Sequence, residues 1–187
     1  MKRNLEISYE HYDNTVDMEV VDQVLISEAE NATEKANAPY SNFKVGAAVR
    51  LRSGRTFHAS NFESEVYPAG LCAERSLLFY IESNYANDPI EALAIASNPS
   101  ERECYPCGQC RQVIVDVERR QQSPIRVIMS GAGSATVVDS AGSWLGTDHS
   151  SRRCRLLPLE GLAPQRQLQP LRSQLCRLLP RLYSCGK

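Results

Sequence analysis

The sequence predicts a layered α/β domain whose sheet is partly parallel. Three observations carry this expectation. Segments of strand character alternate with helical segments of about ten to fifteen residues. The stretch "IEALAIAS" (90–97) is a short apolar run closed off by "NDP" and "NPS", as expected of a central strand covered on both faces. Finally, 42% hydrophobic residues in a 187-residue chain provide enough apolar surface for one core without stapling.

The elements follow in order. Met18 to Ala36 reads as a helix whose apolar face is Val20, Val21, Val24, Leu25, Ala29 and Ala32, ending before the turn "APYSNF". "KVGAAVRL" (44–51) and "RTFHAS" (55–60) flank "RSG" as a hairpin, with Gly54 supplying the turn geometry. "NFESEVYPAG" (61–70) is a loop by its Asn, Pro and Gly content. It leads into "LCAERSLLFYIESNY" (71–85), where Leu77, Leu78 and Ile81 recur at helical spacing. Beyond the central strand and a loop with two prolines, "CGQCRQVIVDVERR" (107–120) continues as a helix with Cys110, Val113, Ile114 and Val117 on one side. "IRVIMSG" (125–131) and "ATVVDS" (135–140) are the last strands, five in all.

Charge is unevenly spread. The net charge is −1, yet residues 1–38 carry nine acids against three bases and residues 150–187 carry eight bases against one acid. The core has no basic, aromatic-lined channel of the kind that polynucleotide substrates require, so no nucleic-acid partner is expected. No apolar run approaches the roughly eighteen residues of a membrane span, and "MKRNLEISYEHYD" lacks the apolar stretch of a signal peptide. A cytoplasmic protein with no membrane partner is the expectation. Residues 1–16 read as an N-terminal extension, 17–146 as the catalytic domain, and 147–187 as an atypical, weakly structured basic tail in which "CRLLP" occurs twice.

Seven cysteines in a chain of ordinary size, three of them crowded at Cys104, Cys107 and Cys110, suit thiolate ligation better than a disulfide framework. Cys72 opens one predicted helix and Cys107 and Cys110 open another, where the positive ends of helix dipoles favour thiolates. The C-x-x-C unit preceded by proline, with Glu74 two residues after Cys72, matches the mechanics of zinc deaminases. Three ligands leave a fourth position open for water, whereas Cys104 as a fourth sulfur would close the site into a structural clip. A clip gives no reason for Glu74. Arg75 and Arg111 fall in the first turns of their helices, where a cation is normally unfavourable. Donation to thiolate sulfur compensates for this, most clearly for Arg75. His11, His58 and His149 show no ligand spacing.

"PYSNFKVGAAV", "NFES", "CAER" and "PCGQCRQ", in this order and at these intervals, resemble the small, homotetrameric class of cytidine deaminases over roughly residues 18–138. The resemblance implies a three-layer α/β/α sandwich around a mixed five-stranded sheet. It also implies one zinc per chain held by Cys72, Cys107 and Cys110, and hydrolytic deamination of cytidine or deoxycytidine in pyrimidine salvage. Glu74 would be the proton carrier, with Arg75 supporting the sulfurs. Asn61 and Glu63 would bond the ribose hydroxyls, Phe43 would pack beside the nucleoside, and contacts near Ala73 would read the base. A blasticidin-type deaminase has similar cysteine motifs, and a catalytically degenerate zinc-binding module is the reading from another class. The family's C-terminal phenylalanine has no counterpart, since no phenylalanine follows Phe79. Trp144, His149 and Tyr183 are the nearest substitutes.

Overall fold

A computed structural model describes residues 7–145 of the chain. Its elements are β1 (Glu10–Tyr12), α1 (Val20–Ala32), β2 (Lys44–Leu51), β3 (Thr56–Ser60), α2 (Ala73–Asn84), β4 (Ile90–Asn98), α3 (Gly108–Gln121), β5 (Arg126–Gly131) and β6 (Ser134–Val138), with short 3-10 turns between and after them. The strands form one sheet in the order β1-β6-β5-β4-β2-β3. β4 and β5 are parallel, as a strand–helix–strand crossover through α3 requires, and every other pairing is antiparallel. The expected tail over 147–187 lies outside the described residues, as do His149 and Tyr183.

Alternation along the strands builds two unlike faces. Ala47, Val49, Leu51, Leu93, Ile95, Val127 and Met129 point to one side, where α2 and α3 bury Leu77, Leu78, Ile81, Ile114, Val115 and Val117 against them. Ala48, Ala92, Ala94, Ala96, Ile128, Ala135 and Val137 point to the other side, under α1. Large aliphatic residues thus fill the space beneath two helices, while a floor made mostly of alanine lets the single helix α1 come close. This is the three-layer α/β/α arrangement.

Two expectations are corrected. The sheet has six strands rather than five, because Glu10–Tyr12 pairs antiparallel with β6 through Glu10↔Val137, His11↔Thr136 and Tyr12↔Ala135. Three largely polar residues carry no period-2 signal. The pairing exists because the outer edge of β6 offers unpaired backbone groups. The second correction concerns α1, whose buried face is Asp22, Leu25, Ile26, Ala29 and Ala32, while Val20, Val21 and Val24 are each at least half exposed.

Two features choose that face of α1. The buried Asp22 carboxylate accepts from Arg126 Nε at 3.1 Å and lies 3.4 Å from Arg50 Nη1, which ties the helix to β5 and β2. A buried acid held by two guanidiniums fixes rotation more firmly than exchanging one apolar stripe for another. The small residues Ala29 and Ala32 then settle on Gly46 of β2, where an added Cβ would overlap the Ala29 carbonyl. Gly46→Ala is therefore expected to lower the free energy of unfolding by about 1–3 kcal/mol in urea titrations, the cost of overpacking against backbone.

Candidate active site

Both cysteine motifs sit at helix starts. Cys72 caps α2 and Cys107 caps α3, each with extended backbone. Their carbonyls accept from Ser76 N at 3.0 Å and Arg111 N at 2.9 Å, respectively. Cys110 lies one turn into α3 and is buried. Since α2 and α3 pack side by side on the same sheet face, the two starts meet. The Cys72–Cys107 sulfurs are 4.0 Å apart, the Cys107–Cys110 sulfurs 3.5 Å, and all three lie within 4.8 Å of one another.

These spacings suit zinc. Sulfurs bound at about 2.3 Å around a tetrahedral ion are separated by about 3.8 Å, so the group occupies three corners of the right size. Among the described residues no further His, Cys, Asp or Glu joins this group. Cys104 packs against the core and its backbone N–H donates to Ser130 O at 3.1 Å. Burial pushes its thiol up to about 11. The four-sulfur clip is thus not formed.

The sulfurs share charge unequally. The pKa of Cys72 falls to about 5, chiefly because the Cys110 thiol donates to it, with Arg75 Nη2 at 3.4 Å adding a hydrogen bond and its charge. Cys110 is shifted upward as the donor in that pair and by its burial. The metal-free cluster therefore holds one thiolate ready, and a divalent cation displaces the remaining thiol protons on binding. Of the two first-turn arginines, Arg75 is the one that donates to sulfur. Arg111 is exposed and instead lines a cavity of about 720 Å³ with Tyr9, His11, Tyr105, Pro106 and Trp144.

Glu74 is buried in the first turn of α2 at 4% exposure. Loss of solvation raises its pKa, and the neighbouring Cys72 thiolate adds to the shift. Ala73 beside it is fully buried. Phe43 is exposed, and its backbone N–H donates to Ser41 Oγ at 3.0 Å. Asn61 braces the start of β2, accepting from Val45 N at 2.8 Å through Oδ1 and donating from Nδ2 to Phe43 O at 3.0 Å. Glu63 accepts from Tyr40 N at 2.9 Å, Ser41 N at 3.2 Å and Ser41 Oγ at 2.5 Å, and these donors hold its carboxyl below the usual range. The "NFE" loop reaches the metal-ligand motif through a two-hydrogen-bond bridge between Phe62 and Leu71, one residue before Cys72.

One cluster escapes sequence reasoning. Glu103 is buried, and it accepts from Tyr105 OH at 2.6 Å and from Ser134 Oγ at 2.9 Å; His11 Nδ1 lies 3.4 Å from it. No spacing rule marks this glutamate, because apart from Tyr105 its partners come from β1 and β6, which lie far from it in the chain.

The sequence matches the family described as the cytidine and deoxycytidylate deaminase zinc-binding region over residues 19–123. A cytidine deaminase of Halalkalibacterium halodurans is 40% identical over 95 residues, which cover 51% of this chain and 70% of the relative. A blasticidin-S deaminase of Bacillus cereus is 33% identical over 95 residues, 46% of this chain and 68% of the relative. Among solved structures, the cytidine deaminase of Burkholderia pseudomallei aligns with a TM-score of 0.57 at 37% identity, covering 67% of this chain and 94% of that one.

The depressed Cys72 pKa gives a pH signature in the zinc-free protein. The thiolate is present above a pH of about 5 and is lost as pH falls through it. Alkylation of Cys72, followed by peptide mass spectrometry, should therefore stay near its plateau down to about pH 6 and fall below pH 5. Arg75→Ala should move that fall to higher pH, and added zinc should protect the residue.

Proposed function

Because the chain belongs to the family of cytidine and deoxycytidylate deaminases with a zinc-binding region, we propose that it hydrolyses cytidine and deoxycytidine to uridine and deoxyuridine with release of ammonia. The observation that carries this reading is the pairing of three clustered sulfurs with a buried carboxyl of raised pKa two residues from one of them. Cys72, Cys107 and Cys110 would hold the zinc. Zinc, when bound, supplies Lewis acidity that brings the ionisation of a water molecule from about 15.7 toward 7.

The chain's own groups do the rest. Glu74 takes a proton from the attacking water and delivers it to the ring nitrogen beside the reacting carbon. It then takes the remaining proton of that water, now a hydroxyl on the carbon, and passes it to the amine as the carbon–nitrogen bond breaks, so that the carbonyl forms and ammonia leaves. Its burial makes this cycle feasible, since a carboxyl of ordinary pKa would hold a proton too weakly near neutral pH. Arg75 donates to the Cys72 sulfur, withdrawing charge from a ligand set that otherwise quenches Lewis acidity.

Asn61 and Glu63 serve the ribose while bracing their own loop. A carboxylate offers about four lone-pair sites and three are taken, and each end of the Asn61 amide has one bond made and one to spare. Each residue thus retains capacity for a sugar hydroxyl, and a site built for that hydroxyl rejects free cytosine. Phe43 flanks the nucleoside, and the backbone near Ala73 reads the base. We place the enzyme in cytoplasmic pyrimidine salvage as a homotetramer, in keeping with the family resemblance.

Glu74→Gln is expected to lower kcat by about 10²- to 10⁴-fold, the usual contribution of a general acid–base group, while zinc content stays near one per chain. The assay follows loss of ultraviolet absorbance and release of ammonia from cytidine, deoxycytidine, blasticidin S and cytosine. Zinc-loaded protein that turns over neither nucleoside overturns the proposal, and turnover of blasticidin S in their place establishes the second reading.

A further inference from the structure

We propose that Glu103 is a positioning residue for the three-sulfur site, acting through the short segment that ends at Cys107. The inference rests on the reading of Cys72, Cys107 and Cys110 as metal ligands. Three elements converge on the Glu103 carboxylate: Ser134 at the start of β6 donates to Oε1 at 2.9 Å, His11 of β1 lies 3.4 Å from the same oxygen, and Tyr105 OH donates to Oε2 at 2.6 Å. His11 Nδ1 is also 3.1 Å from Thr136 Oγ1, so the imidazole is held from β6 as well.

The backbone around Glu103 is fixed by the same hairpin. Cys104 N donates to Ser130 O at 3.1 Å and Ala132 N donates to Ser100 Oγ at 3.0 Å. At Gly131 the Arg102 carbonyl occupies the space that a Cβ would need. Residues 100–104 are therefore fastened to the β5–β6 hairpin. Only Tyr105 and the buried Pro106, whose ring fixes φ, separate this anchored segment from Cys107.

The two ligand arms are thus set independently. Cys72 takes its place from the Phe62–Leu71 bridge and α2, while Cys107 takes its place from Glu103 and α3. The 4.0 Å between their sulfurs depends on both anchors. A group that merely stabilised the fold would leave the ligand spacing alone. A buried acid at the far end of α3, Glu118, has that role: its carboxylate holds Ile125, Ala141 and Gly142.

The test uses the full chain as wild type, Glu103→Ala, Glu103→Gln and Tyr105→Phe, with circular dichroism to confirm folding. Zinc affinity is read by competition with a chromogenic chelator, and ligand geometry by the ligand-field and thiolate charge-transfer bands of bound cobalt(II). Glu103→Ala should weaken zinc binding by about tenfold, the lower end for groups that orient metal ligands, and perturb the cobalt bands. Glu103→Gln should recover most of both, since its amide oxygen still accepts a hydrogen bond, and Tyr105→Phe should shift both in the same direction as alanine. A folded Glu103→Ala with wild-type affinity and wild-type cobalt bands overturns the proposal. If that variant does not fold, wild-type values in Tyr105→Phe overturn it. A wild-type chain that binds neither zinc nor cobalt overturns instead the ligand reading on which the proposal stands.

Discussion

The side-by-side seating of α2 and α3, with their N-termini meeting at one end, is the constraint on which the rest depends. It brings three sulfurs within 4.8 Å although Cys72 and Cys107 are 35 residues apart. The electrostatics of the site follow from that proximity. Thiols this close cannot all ionise without a cation, so one becomes a thiolate held by the others and by Arg75, and the site is poised for a divalent ion. The same crowding places the Glu74 carboxyl beside a thiolate in a dry setting, which keeps its proton affinity high.

Buried carboxylates divide the remaining work. Asp22 pins α1 through two arginines, Glu118 gathers the loops behind α3, and Glu103 gathers the loop in front of it. Glu103 is surrounded by donors and its pKa is lowered despite burial, whereas burial raises the pKa of Glu74 and the Cys72 thiolate adds to the shift. Acids of the same type differ in proton affinity according to whether hydrogen-bond donors offset their burial, as at Glu103, or burial is left uncompensated beside a thiolate, as at Glu74. The loop over residues 38–45 shows a related economy. Asn61 and Glu63 bond the backbone of that loop at Val45, Phe43, Tyr40 and Ser41, so the loop fixes the orientation of both side chains.

Much of this was legible in the chain. The linked motifs, the helix starts at Cys72 and Cys107, the buried strand at 90–98 and the hairpin turning at Gly54 all depend on short-range chemistry: periodicity, turn residues and ligand spacing. Glu74 was legible as a candidate, because a structural clip gives no reason for a carboxyl two residues from Cys72. Cys104 was legible only by elimination: a four-sulfur clip gives no reason for Glu74, and the structure seats Cys104 against the core, outside the group of three sulfurs.

The amino-acid order alone determined the helices and every strand but β1, and it singled out the side chains that are candidates for the chemistry, because those properties arise within a few residues of each position. The tertiary structure decided the rest. It added β1 through an edge that β6 leaves open, and turned α1 so that Asp22 meets Arg50 and Arg126 while Val20, Val21 and Val24 face outward. It also gathered Glu103, Tyr105, Ser134 and His11 into one network. Each of these depends on partners more than twenty residues away, or on the shape of a surface that exists only once the sheet has formed, and neither leaves a local pattern to read.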